Sequence, residues 1–274
     1  MKLDLNAAWD QAVRLISMNR EVMAVLGGVF FFLPYVLFAL GVPMPDFQAA
    51  AGPAGENRDA LMAVMNGFIA QYWWALLLLS IIQTIGAVAV MAVLGDPARP
   101  TVSAAMARGA RFLLPSVAVQ ILTSLAIFLA LFVGLLIGAL TGSGAIAAAL
   151  AAFSIPVIVW LMTRLSLASP AVAIERIANP VGALRRSWRL TQGTGLRLLA
   201  FFVLLFIAFV VISQVIGLVI RVLTALPSAE VGGVVGALLE GLVYAALTMM
   251  FYGILASVHR QLARAERTSA PEIE

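Results

Sequence analysis

Cysteine is absent from the 274 residues, and histidine occurs once, as His259. The first absence excludes disulfides and thiolate–metal sites, and the second leaves no imidazole cluster for a metal. Charge is also scarce: 11% of the residues are Asp, Glu, Lys or Arg, against about 25% in an average soluble domain. Lysine too occurs once, at Lys2, so sixteen of the seventeen basic residues are arginine. No Gly-rich phosphate loop precedes a lysine, no Gly-x-Ser-x-Gly elbow occurs, and no carboxylates cluster. The converging acids, bases, nucleophiles or ligands that hydrolytic and transfer chemistry needs are therefore missing from the pattern. A non-enzymatic chain without cofactor or metal is expected.

Apolar residues fill the space that charge leaves. Hydrophobic side chains make up 63% of the chain, with a mean hydropathy of +1.05. A hydrocarbon core of about 30 Å needs roughly 20 apolar residues in a helix. Runs of that kind lie at Val22–Leu40, Trp74–Leu94, Val117–Leu140, Ala145–Met162, Leu198–Val222 and Val231–Val258. The expected fold is an all-α integral membrane protein, one polytopic domain over 1–274 with six transmembrane helices arranged as three hairpins. The fourth run is short and carries Pro156, which lacks an amide hydrogen and is expected to kink it. Counting it out would place the termini on opposite sides, and the basic residues argue against that.

Arginine and lysine are retained on the cytoplasmic side during insertion. With six spans, fifteen of the seventeen basic residues fall on one side, and only Arg58 and Arg221 on the other. Both termini are thus expected to be cytoplasmic. The localisation expected is the cytoplasmic (inner) membrane of a bacterium, the arginine-, alanine- and glycine-rich composition fitting a high-GC genome. The isoelectric point near 10.1 reflects a net charge of only +4. Those basic residues sit beside apolar runs, which favours anionic lipid headgroups as partners and not nucleic acid. No small-x-small cleavage site follows the first run, so the N-terminal segment is expected to stay in the mature chain.

A basic amphipathic stretch precedes each odd-numbered span. Leu5, Trp9, Ala12, Val13 and Ile16 share one helical face before the first. Val102, Ala105, Met106, Gly109 and Leu113 share one before the third, with Arg108 and Arg111 opposite. Val181, Leu184 and Trp188 share one before the fifth, flanked by Arg185 and Arg189, after an N-cap at Asn179 and Pro180. The chain reads as three repeats of interfacial helix, span, turn and returning span, over 1–95, 96–163 and 164–274. The plainer alternative is that any loop feeding a span is basic. Trp9, Arg108, Arg111, Arg185, Arg186, Trp188 and Arg189 are the candidates for contacting lipid or a protein partner.

Between the first two spans, Gly41–Gln71 opens irregularly and turns helical from about Asp59, with Leu61, Met65 and Phe68 on one face. It is expected to be a passive interfacial helix or a lid. Inside the membrane, charged residues are functional suspects. Arg221 and Glu240 face each other across a short loop at Thr224–Glu230 and are expected to form an intramembrane ion pair. Gln83, Gln120 and Gln214 are expected to act as interhelical hydrogen-bond partners, or to share a cavity with Glu240 if the chain is a transporter. Two small-residue stripes, Gly134–Gly138–Gly142 and Gly233–Ala237–Gly241, point to close helix packing within the bundle or between copies. His259, beside Arg260 at the end of the last run, reads as an interfacial residue.

One segment carries a resemblance. Ser169-Pro170-Ala171-Val172-Ala173-Ile174-Glu175 is followed by Ala183-Leu184-Arg185-Arg186-Ser187-Trp188-Arg189-Leu190-Thr191-Gln192-Gly193 and then by an apolar span. The pattern resembles the membrane domain of bacterial glycerophosphoryl diester phosphodiesterases and the related YciC-like inner-membrane proteins. The resemblance implies a six-span fold and a loose association with envelope maintenance. The phosphodiesterase activity of the enzymes belongs to a separate soluble barrel, which this sequence does not contain, so the implied role is non-enzymatic. An accessory subunit of a separately encoded phosphodiesterase is the further alternative.

Overall fold

The computed structural model describes residues 5–53, 55–96, 100–225 and 228–269. Lys2, Arg99 and part of the 224–230 loop lie outside them. Among the described residues every regular element is helical, and six segments are long and apolar enough to cross a membrane. They are Arg20–Gly41, Arg58–Gly95, Leu113–Leu140, Gly144–Ile174, Gly195–Thr224 and Val231–Thr268.

Three shorter helices, α1 (Leu5–Met18), α6 (Val102–Arg111) and α10 (Pro180–Leu190), precede the first, third and fifth spans. The first span is α2 (Arg20–Gly27) and α3 (Leu33–Gly41), joined by a π-turn at Gly28–Phe32. Pro34 explains the turn. It has no N–H for the carbonyl four residues back, so the backbone widens just before it, and Leu33 N–H bonds to Gly28 O instead. The widened turn buries both Phe30 and Phe31.

After α4 (Phe47–Ala51), capped by the Asp46 carboxylate, α5 runs unbroken from Arg58 to Gly95. It starts where the Asn57 side chain accepts the Ala60 N–H at 3.1 Å. At 38 residues it is about 57 Å long, well beyond the hydrocarbon thickness. Leu61 and Phe68 are half-buried on it but Met65 is exposed, and Phe68 meets Phe47 of α4 edge-on at 6.1 Å.

Consecutive spans touch in all three pairs. Gly86 on α5 lies so close to Phe30 that a Cβ there would be 2.4 Å from the Phe30 Cβ. A Cβ at Gly134 of α7 (Leu113–Leu140) would meet Ser154 Oγ of α8 (Gly144–Leu165) at 2.9 Å. Thr224 at the end of α11 (Gly195–Thr224) lies beside Gly232 of α12 (Ala229–Ser269), which sets their register. The first stripe thus packs inside the bundle through Gly134, whereas Gly142 leaves it for a turn at φ +63°.

The dense part of the molecule is the end at which α1 packs on the last turns of α12. Ala8 and Ala12 of α1 pack with Leu255, Val258 and Leu262 of α12, so the first and last helices meet there. Ala87 to Leu94 of α5 are buried without interruption, as are Ile254 to His259 of α12. Helices buried all round are enclosed by others. Here the enclosing elements are α1, α6, α10 and the short α9 (Ala168–Ile174).

The buried faces of these helices match the expected ones in part: Ala12 of α1 and Ala105 and Gly109 of α6 are buried as expected, and other positions differ. In α1, Trp9 (41%) and Val13 (45%) are exposed while Ala8 and Ala12 are sealed. In α10 the buried face is Ala183, Ser187 and Leu190, and Val181 is exposed. Small residues allow the closest approach, so they take the inward positions ahead of larger apolar ones.

Candidate functional site

Two polar assemblies stand out. The first closes the densely packed end. α9 stops at Glu175, Arg176 adopts a left-handed φ of 59°, and the chain turns into α10. There the Asn179 side chain accepts from Val181 N (3.0 Å) and Gly182 N (3.2 Å). This turn brings Arg186 back over Glu175. Its Nε donates to both carboxylate oxygens, at 3.0 and 2.8 Å, and its Nη1 reaches Glu266 of α12. His259 Nε2 lies 3.1 Å from Glu175 Oε1.

His259 is 1% exposed, not interfacial as its position beside Arg260 implied. His259, Leu262 and Glu266 fall at i, i+3 and i+7, so one inward stripe of α12 delivers both polar groups. Burial pushes the Glu175 carboxyl up, but hydrogen bonds and charge from His259 and Arg186 outweigh it and hold it at about 2. Burial pulls Arg186 down, and the two glutamates together raise it above the usual guanidinium range.

Around this group the loop is locked by side-chain bonds. Ser187, fully buried, accepts from Leu167 N at 3.1 Å and donates to Arg164 O at 2.6 Å. Arg164 donates to Thr191 O at 2.6 Å and lies over the rings of Trp160 (5.4 Å) and Trp188 (5.6 Å). Asp96 accepts two 3.1 Å bonds from Arg108 and sits 3.7 Å from Arg176. Arg260 donates to Leu94 O at 2.9 Å, capping α5.

The candidate contact residues therefore divide. Arg108, Arg186 and Trp188 are engaged inside the fold. Arg111, Arg185, Arg189 and Trp9 are exposed, with Arg111 over the Phe112 ring at 5.9 Å.

The second assembly is a groove of about 820 Å³ between α11, α12 and the first span. Tyr35, Gln214, Arg221, Glu240 and Tyr244 line it. The expected Arg221–Glu240 ion pair is not made. Glu240 instead accepts a 3.2 Å bond from the Tyr35 hydroxyl, which reaches it from a third helix. Tyr35 stacks on Tyr244 at 5.0 Å, and Tyr244 donates to Gln83 at 3.0 Å. Gln214 and Glu240 thus share a space to which Gln83 is linked, whereas Gln120 lies apart, bonded to Thr84 Oγ1 at 3.1 Å.

Among the described residues no group of three or more His, Cys, Asp or Glu side chains is arranged to hold a metal. No family model, curated protein or solved structure matches the chain.

Proposed function

We propose that this chain is a non-enzymatic, multi-pass protein of the bacterial cytoplasmic membrane. In this reading its basic end contacts anionic lipid headgroups and helps to organise the envelope. Both termini lie on the cytoplasmic side, and each of three hairpins is led in by an interfacial helix. One observation carries the reading: α10 separates its arginines, turning Arg186 inward onto Glu175 and Glu266 while Arg185 and Arg189 stay exposed. An arginine near an anionic surface contributes about 1 kcal/mol. Arg111, Arg185 and Arg189 together then favour anionic lipid by about 3 kcal/mol, or roughly a hundredfold.

The kinship with the YciC-like proteins rests on the motif alone. Much of that motif packs the loop, through Ala183, Ser187, Leu190 and Thr191, so it speaks for fold more than for activity. A transporter reading has support from the groove shared by Gln214 and Glu240, and lacks it at Gln120. Native mass spectrometry of the purified chain with phosphatidylglycerol tests the main reading. Replacing Arg111, Arg185 and Arg189 together by Ala should strip retained phosphatidylglycerol without unfolding the chain. Unchanged retention would count against a headgroup role for this surface.

A further inference from the structure

We infer that the groove between α11, α12 and the first span binds one zwitterionic phospholipid, its phosphate on Arg221 and its ammonium group on Glu240. This goes beyond the proposed surface role, because it concerns the opposite end of the bundle and the opposite preference in lipid charge.

Thr224 O lies beside Gly232, where a Cβ would be only 2.4 Å away. Arg221, less than one turn before Thr224, therefore lies beside the part of α12 that leads to Glu240. Both charges line one groove, yet no ion pair within 4.0 Å joins them among the described residues. The Tyr35 hydroxyl steadies Glu240 Oε2, and among the described residues the carboxylate has no other hydrogen-bond partner. Glu240 is half-buried in the groove, and Arg221 is exposed at its rim, in the last turn of α11. Unpaired charges beside an apolar lining each call for a counter-charge. An anionic headgroup would answer Arg221 and repel Glu240. A headgroup carrying phosphate and ammonium answers both.

The remaining lining suits acyl chains. Phe209, Leu218 and Phe251 continue the groove away from the charges. Leu218 is 65% and Phe251 36% exposed, so this wall faces the surrounding bilayer.

The test is native mass spectrometry of the full chain in detergent, with phosphatidylethanolamine and phosphatidylglycerol offered in equal amounts at high salt to suppress surface binding. One phosphatidylethanolamine should be retained at least about tenfold over phosphatidylglycerol, a difference of about 1.4 kcal/mol. Glu240→Gln should abolish that preference, and Arg221→Gln should weaken retention of both lipids. Gly217→Phe keeps both charges and fills the groove, since nothing lies within 4 Å of a Cβ there, and should lose the bound lipid. Equal retention of the two lipids by the unaltered chain would overturn the proposal, as would full retention by Gly217→Phe. Displacement by water-soluble glycerophosphoethanolamine would also overturn it, in favour of a soluble zwitterion. Loss of surface binding in the triple arginine variant leaves this result untouched, so the two readings fail separately.

Discussion

Replacing Glu175 by Gln keeps the shape of the side chain and removes the charge on which Arg186 and His259 converge. The side chain is 22% exposed and that of Arg186 13%, so solvent screens the pair only in part. In the folded chain the carboxyl is held at about 2, against an ordinary value of 4.5. That depression corresponds to about 3 kcal/mol of stability at neutral pH. Because the folded value lies below the unfolded one, the stabilisation is complete above pH 4.5 and is lost as the pH falls towards about 2. Unfolding in mixed micelles, titrated with a denaturing detergent and followed by helical circular dichroism, measures it. Glu175→Gln should lose about 3 kcal/mol at pH 7 and about a quarter of that near pH 2.5. A variant within about 0.5 kcal/mol of the unaltered chain at pH 7, or one keeping its full acid sensitivity between these values, would refute the reasoning.

Ser187→Ala removes both the acceptor for Leu167 N and the donor to Arg164 O at a fully buried position. It should cost about 1–3 kcal/mol in the same assay, with a visible change in tryptophan fluorescence as the Trp160–Trp188 contact loosens. Gly134→Leu forces a side chain against Ser154 and the Leu150 carbonyl. It should destabilise the chain by about 1–3 kcal/mol, and Gly217→Leu, in open space, should change stability little.

The six spans were legible because an apolar run long enough to cross a bilayer has few other uses. Their ends were not. α5 begins at Arg58 and α12 continues to Ser269, since hydropathy reports where hydrocarbon begins and not where a helix stops. In α10 hydropathy picks out Leu184, which packs half-buried against the core, and Val181, which is exposed, whereas close approach seals Ala183 and Ser187. The Glu175–Arg186–Glu266 group joins positions up to 91 residues apart, which no local pattern connects. Its readable traces were Glu175 and Arg186, 11 residues apart within the one motif, and the i, i+3, i+7 spacing of His259, Leu262 and Glu266. Arg221 and Glu240 line one groove, as the short loop between their helices implies, but the partner that Glu240 takes, Tyr35, lies 205 residues away in the chain.

The account depends most on the basic loops and both termini sharing one membrane face, opposite the turn between α7 and α8. The absence of native cysteine makes this directly measurable. Ala145→Cys, at the start of α8, and Ala178→Cys, in the turn before α10, occupy exposed positions. In sealed vesicles of known orientation, a membrane-impermeant thiol reagent should label Ala178→Cys from the cytoplasmic side and Ala145→Cys from the opposite side. Labelling of both from the same side would contradict the six-span account.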